Sequence, residues 1–201
     1  MTKNELRGIW NYYLSLEKDI DNTSRYIEPE GQENVYSFEF AKILILSCTE
    51  IESVLKMLCF EISGENVGDI GRYKELIMGH YPQISEAEVV VKRWGKTIAP
   101  FEEWKTGKLT WWDAYQAVKH SRGGHFQEAT YKNAVTALSA LYLLIFYLAK
   151  VVGIYFRNCQ SEYIESEYSD SFVLCNPTAP LPGFEEGFVG ADPEWFKNEP
   201  D

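Results

Sequence analysis

Apolar residues recur at three- and four-residue spacing from the start of the chain. Leu6, Ile9, Tyr13, Leu16 and Ile20 form one stripe, which predicts a helix over 4–26. Pro29, Gly31 and Asn34 then interrupt the pattern. Ser37 has the character of a helix N-cap, because its hydroxyl can accept from a free backbone N–H of the first turn. The run 40–62 carries Ile43, Leu44, Leu46, Ile51, Val54, Leu55, Leu58 and Cys59 on more than one face, as expected of a central helix. Ser63-Gly64 should end it. A shorter helix is expected over 67–79, and Pro82 and Ser85 mark a loop. Val89, Val90 and Val91, then Gly95-Lys96, then Ile98 and Phe101 read as a small β-hairpin inserted within 86–104. Thr110 caps a helix predicted from Trp111 to about His120, which Gly123-Gly124 should break. A long helix over 127–156 follows, with Ala134, Leu138, Leu141, Ile145 and Leu148 as its buried stripe and Ala137 and Ala140 allowing close approach.

These elements predict a mainly α fold: a bundle of four to five helices over 1–156 with the hairpin at its side or end. Beyond Asn158 the helical period is lost. Pro177, Pro180, Pro182, Gly183, Gly187, Gly190 and Pro193 make 157–201 an extended or looped tail. The most apolar stretch, Ala134–Ala149, includes Thr136 and Ser139 and falls short of the about 20 residues of a membrane span. A core helix and no membrane association are expected. Residues 1–16 show no apolar secretory region. With no CxxC among Cys48, Cys59, Cys159 and Cys175, free thiols in a reducing cytoplasm are the expectation.

A hydrophobic fraction of 45% and an aromatic fraction of 15% exclude general disorder. The net charge is −11, and the ten acidic residues of 157–201 face only Arg157 and Lys197. The bulk of the chain is therefore nearly balanced and the tail is the acidic part. The tail also carries Tyr163, Tyr168, Phe172, Phe184, Phe188, Trp195 and Phe196. A purely solubilising tail needs no such residues, so it is expected to lie along the bundle. There it acts as a structural strap, or places carboxylates near the mildly basic segment 86–132.

Trp111 to Arg122 is the richest stretch for chemistry. Trp111 and Tyr115, and Tyr115 and Lys119, are four apart and share a helix face. Lys119, His120 and Arg122 crowd the helix end, where cations complement the helix dipole while aromatics fill core. In the functional reading Arg122 is a fork donor to phosphate and His120 a proton shuttle. His125 follows across the two glycines, and a tri-histidine metal site would need His80 beside both; no metal or cofactor is expected. On the second long helix Glu52 and Lys56 suit an intrahelical pair. Glu50 sits in an apolar run and needs a cation, so His120 and Arg122 are expected near Glu50 or Glu52.

Ser37-Phe38-Glu39-Phe40-Ala41-Lys42, continuing through Cys48-Thr49-Glu50-Ile51-Glu52-Ser53-Val54-Leu55-Lys56, resembles the second helix of HEPN-like bacterial proteins. Trp112-Asp113-Ala114-Tyr115-Gln116-Ala117-Val118-Lys119-His120-Ser121-Arg122 resembles their Tyr-Asn-x-x-Lys-His-x-Arg stretch, and Ala129 to Leu144 resembles their last core helix. The likeness covers roughly 5–155. It implies a four- or five-helix bundle, often paired as a homodimer. Catalytic members are metal-independent RNases of toxin–antitoxin and phage-defence systems, with an Arg, four to six residues, then His. Here seven residues separate Arg72 from His80 and two separate Arg122 from His125; Lys119 and His125 have five between them, but lysine lacks the planar fork. Gln116 stands where the related stretch usually has Asn. The resemblance thus implies a module that binds RNA, a nucleotide or a protein partner without catalysis, through Glu50, Glu52, Tyr115, Lys119 and His125. The second reading is an RNase with His120 or His125 as acid/base and Arg122 or Lys119 on the phosphate.

Overall fold

The computed structural model describes residues 1–92, 94–153 and 172–175. Five helices and a small sheet build it: α1 Lys3–Thr23, α2 Phe38–Ser63, α3 Ile70–His80, β1 Glu88–Val91, β2 Lys96–Ile98, α4 Thr110–His125, α5 Tyr131–Val151 and β3 Phe172–Cys175. Short 3₁₀ turns fill Pro82–Glu86, Glu102–Lys105 and Phe126–Glu128.

Local chemistry sets most boundaries. Thr2 and Glu5 form a reciprocal capping box on α1. The Ser37 hydroxyl accepts from the Phe40 N–H to open α2, and Gly64 at φ 72° closes it in the left-handed region. Asp69 caps α3. Thr130 caps α5 through the Asn133 N–H, so this helix begins and ends a few residues inside the expected 127–156.

α5 is the centre. Nearly every residue from Ala134 to Ala149 is buried, not one stripe alone, the mark of a helix surrounded on all sides. It is the one helix among the described residues long and apolar enough to cross a bilayer, and 83% of its apolar window is buried inside the protein. Phe40 packs on Tyr131 at 5.4 Å and Tyr36 bridges Thr130, so α2 and α5 run parallel from a common end. α1 returns against both: Trp10 and Tyr13 stack on each other and on Tyr142. Trp10 is buried, whereas Ile9 of the expected stripe is only partly so.

The expected hairpin forms. Val89 pairs with Ile98 and Val91 with Lys96, and Gly95 at φ 63° takes the turn. A third strand comes from the tail: Phe172–Cys175 lies antiparallel on the other edge of β1, Glu88 opposite Cys175 and Val91 opposite Phe172, in the order β2-β1-β3. The hairpin tip is tied to the start of α5, with Trp94 on Tyr131 at 5.3 Å and Lys96 ion-paired with Glu33. The rest of the expected tail, 157–171 and 176–201, lies outside the described residues.

α4 departs from expectation twice. Thr110 does not cap it with its own side chain; instead the Glu103 carboxylate accepts the Thr110 N–H at 2.6 Å. The helix breaks at Ser121 (φ −149°, ψ 58°), and Gly123 and Gly124 lie in the helical turn beyond.

Candidate functional site

The lower half of α4 faces α2 through Tyr115 and Lys119. Tyr115 is fully buried. The Lys119 ammonium donates to its hydroxyl at 2.7 Å and sits 4.9 Å from the ring centre. The same hydroxyl lies 3.5 Å from Glu52 Oε2, and Lys119 reaches that oxygen at 3.8 Å. The Tyr115 hydrogen bond, ahead of the Glu52 charge, pushes the Lys119 ammonium pKa up. Cys48 is buried beside this group and its thiol pKa is driven well up by burial. Cys48 and Cys59 are both free and buried. Glu52 therefore turns across to α4, and no Glu52–Lys56 ion pair exists among the described residues.

Lys119, not His120 or Arg122, takes the carboxylate. Successive helical residues are about 100° apart, so with Lys119 facing α2, His120 points to solvent. It is exposed and its Nε2 meets Gln116 Oε1 at 3.2 Å. The break at Ser121 then starts a new turn, which carries Arg122 away from Glu52. Glu50 lies on the far side of α2, where its charge raises the Tyr12 hydroxyl pKa after burial has done so. Its own carboxyl is pushed up by burial alone. Glu50 and Glu52 are thus not parts of one site.

Arg122 stands 5.9 Å over the Phe38 ring. Phe38 is 70% exposed and Tyr36 51%, and both pack on Phe126, at 4.7 Å and 5.5 Å. His125 is exposed in the turn just before Phe126. Three aromatic rings and a guanidinium therefore share the end of the bundle where α2 begins and α4 stops. Tyr26, 86% exposed, borders a groove of about 380 Å³ with Ile27, Ser37 and Phe40. The aromatic surface escaped the sequence reading. The expected apolar run starts at 40, and Phe40 does go inward, but nothing in the run marks Phe38 as an exposed ring; only the packing shows it.

His80 meets the Tyr81 ring edge to face at 4.6 Å at the end of α3. Among the described residues no three His, Cys, Asp or Glu side chains cluster as metal ligands. Neither histidine of α4 has a carboxylate orienting its ring among the described residues. The arrangement suits stacking and anion contact more than proton transfer.

No family model matches the chain, and neither a curated protein nor a solved structure shows significant similarity to it.

Proposed function

We propose that this domain is a cytoplasmic HEPN-like binding module that holds single-stranded RNA without cleaving it. The observation that carries this reading is the exposed ring of Phe38, backed by Phe126 and covered by the Arg122 guanidinium. Exposed aromatics beside cations bind unpaired bases by stacking and cation–π contact, while the guanidinium meets phosphate. Fully buried rings, such as Tyr115, have no such use. Lys119 is committed to Tyr115 and Glu52, so the phosphate contact falls to Arg122.

Fluorescence anisotropy with a labelled oligouridine at low salt tests this. Phe38→Ala should weaken binding by about 1–3 kcal/mol, the value of one stacked base. Arg122→Ala should lower the salt slope by about one. Equal affinity of all three proteins, or none up to high micromolar, would sink the proposal. The same oligonucleotide incubated in EDTA decides the RNase reading: cleavage by the wild type that is lost in His120→Ala or His125→Ala would make the protein an enzyme.

A further inference from the structure

Stacking on Phe38 leaves the neighbouring groove unused. That groove, of about 380 Å³, has Asp19 and Tyr26 on one wall, from α1 and the turn after it, and Ser37, Glu39 and Phe40 on the other, from the start of α2. Phe38 stands between Ser37 and Glu39 in the chain and shares a helix face with Lys42, four residues on. Two polar groups of the walls are already spent: the Thr23 hydroxyl donates to the Ile20 carbonyl at 2.6 Å, and the Ser37 hydroxyl accepts the Phe40 N–H. The Asp19 and Glu39 carboxylates are placed differently. Both are exposed and share one ammonium, that of Lys42, which lies 3.0 Å from Asp19 and in direct contact with Glu39.

A donor beside acceptors, next to an open aromatic ring, is a pattern for reading a base. The Watson–Crick edge of guanine is its complement. O6 accepts, while N1–H and the N2 amino group donate side by side, and a single carboxylate can take both in parallel bonds. Adenine has an acceptor at N1 and cytosine one at N3, and uracil flanks its one N–H with two acceptors. Each of these would set a lone pair against the carboxylate and leave groups unmatched. On a surface that met only phosphate, two carboxylates would weaken RNA binding; facing a base edge, they select it.

We propose that this groove is a guanine site. The base lies against the Tyr26 ring, which is 86% exposed. Glu39 accepts from N1–H and the N2 amino group, and Lys42 donates to O6 while Asp19 keeps the ammonium in place. In an RNA that guanosine is the neighbour of the nucleotide stacked on Phe38, a placement that rests on the RNA-binding reading; recognition of the base itself does not. The preferred ligand is a single strand with a guanosine beside any other base.

Fluorescence anisotropy on the full chain tests this with labelled pentauridine and with the same strand carrying guanosine, adenosine or inosine at its centre. The guanosine strand should bind about ten-fold tighter than the adenosine strand. Inosine, which keeps O6 and N1–H but lacks the amino group, should fall between them. Glu39→Gln should bring the guanosine and adenosine strands within about two-fold, because its amide offers only one acceptor. Tyr26→Ala should weaken the guanosine strand about ten-fold, as loss of one stacked base does. Both replaced side chains are exposed, so the core stays intact. Saturation-transfer NMR with guanosine monophosphate and adenosine monophosphate reads the base without a strand. Equal affinity of the wild type for all the strands overturns the guanine site, and the RNA reading stands if Phe38→Ala still weakens them. A guanosine preference that survives in Glu39→Gln also overturns the assignment to this groove. If no strand binds, the RNA reading falls and the mononucleotides decide: a guanosine monophosphate signal lost in Glu39→Gln keeps the guanine site, and no such signal removes it.

Discussion

Lys119 sits between two oxygens, the Tyr115 hydroxyl at 2.7 Å and Glu52 Oε2 at 3.8 Å. The shorter contact carries more of the stability. Both charged side chains are part exposed, at 40% and 29%, so water screens the ion pair to about 1 kcal/mol or less. Tyr115→Phe keeps the buried ring and removes only the hydroxyl. It should cost about 1 kcal/mol, a fall in melting temperature of a few degrees for a chain of this size. The raised Lys119 pKa fixes the pH behaviour. A lysine favoured as its cation contributes fully below its ordinary 10.5 and loses that contribution as pH climbs through the higher folded value. The difference between wild type and Lys119→Met in thermal melts should therefore persist at pH 7 and shrink above pH 10.5. Glu50 has the opposite sign. Burial raises its carboxyl above 4.5, so the native state holds that proton longer and stability falls as pH rises through this window. Glu50→Gln should stabilise at pH 7 by less than about 0.5 kcal/mol, and the gain should vanish near pH 4.

Within α4, side chains and backbone divide the work unexpectedly. The carboxylate that satisfies its first N–H comes from Glu103, seven residues earlier, so the preceding 3₁₀ turn and the helix stabilise each other. Glu103→Ala should cost about 1 kcal/mol, as loss of an N-cap does, while Thr110→Ala should cost little; paired urea titrations distinguish the two. The interruption lies at Ser121, not at the glycines. Gly123 is helical, and a Cβ built there meets nothing within 4 Å. Gly123→Ala should thus raise stability by about 0.5–1 kcal/mol by restricting the unfolded chain. A loss of stability would mean that the glycine supplies a backbone shape, as its sequence context suggests. Gly64 is the contrast: at φ 72° its replacement by Ala should cost about 1–2 kcal/mol.

Across the whole molecule, one helix organises the others. α5 is covered by α1, α2 and α4, and its small residues Ala137 and Ala140 are fully buried. Ala140→Leu forces extra volume into a close-packed centre and should destabilise by about 1–3 kcal/mol. Leu141→Ala leaves a cavity and should cost about 2–5 kcal/mol. Denaturant midpoints for both variants check this centre. The sheet behaves differently, because β3 is distant in sequence from the hairpin it completes. Hydrogen exchange in β1 should therefore report attachment of the tail more directly than unfolding of the bundle.

By itself the sequence determined the helical class, the order of the elements and several of their ends. These depend on short-range chemistry: a hydroxyl three residues from an N–H at Ser37, a left-handed glycine at Gly64, apolar residues at helical spacing in α1 and α2. It also specified that Tyr115 and Lys119 share a face, since four residues is nearly one turn. The partner of Lys119 was beyond its reach. In sequence Glu52 pairs naturally with Lys56 and Glu50 is the carboxylate in want of a cation, and only the rotation of α2 against α4 turns Glu52 to Lys119 and sends Glu50 toward Tyr12. The exposed rings of Tyr36 and Phe38 were equally hidden, because the sequence does not show which aromatic residues beside a core run are left uncovered until their neighbours are placed. The pairing of Phe172–Cys175 with β1 belongs to the same class. A strand carries no mark of its partner when the register is set by contacts more than eighty residues away, so tertiary structure alone decided it.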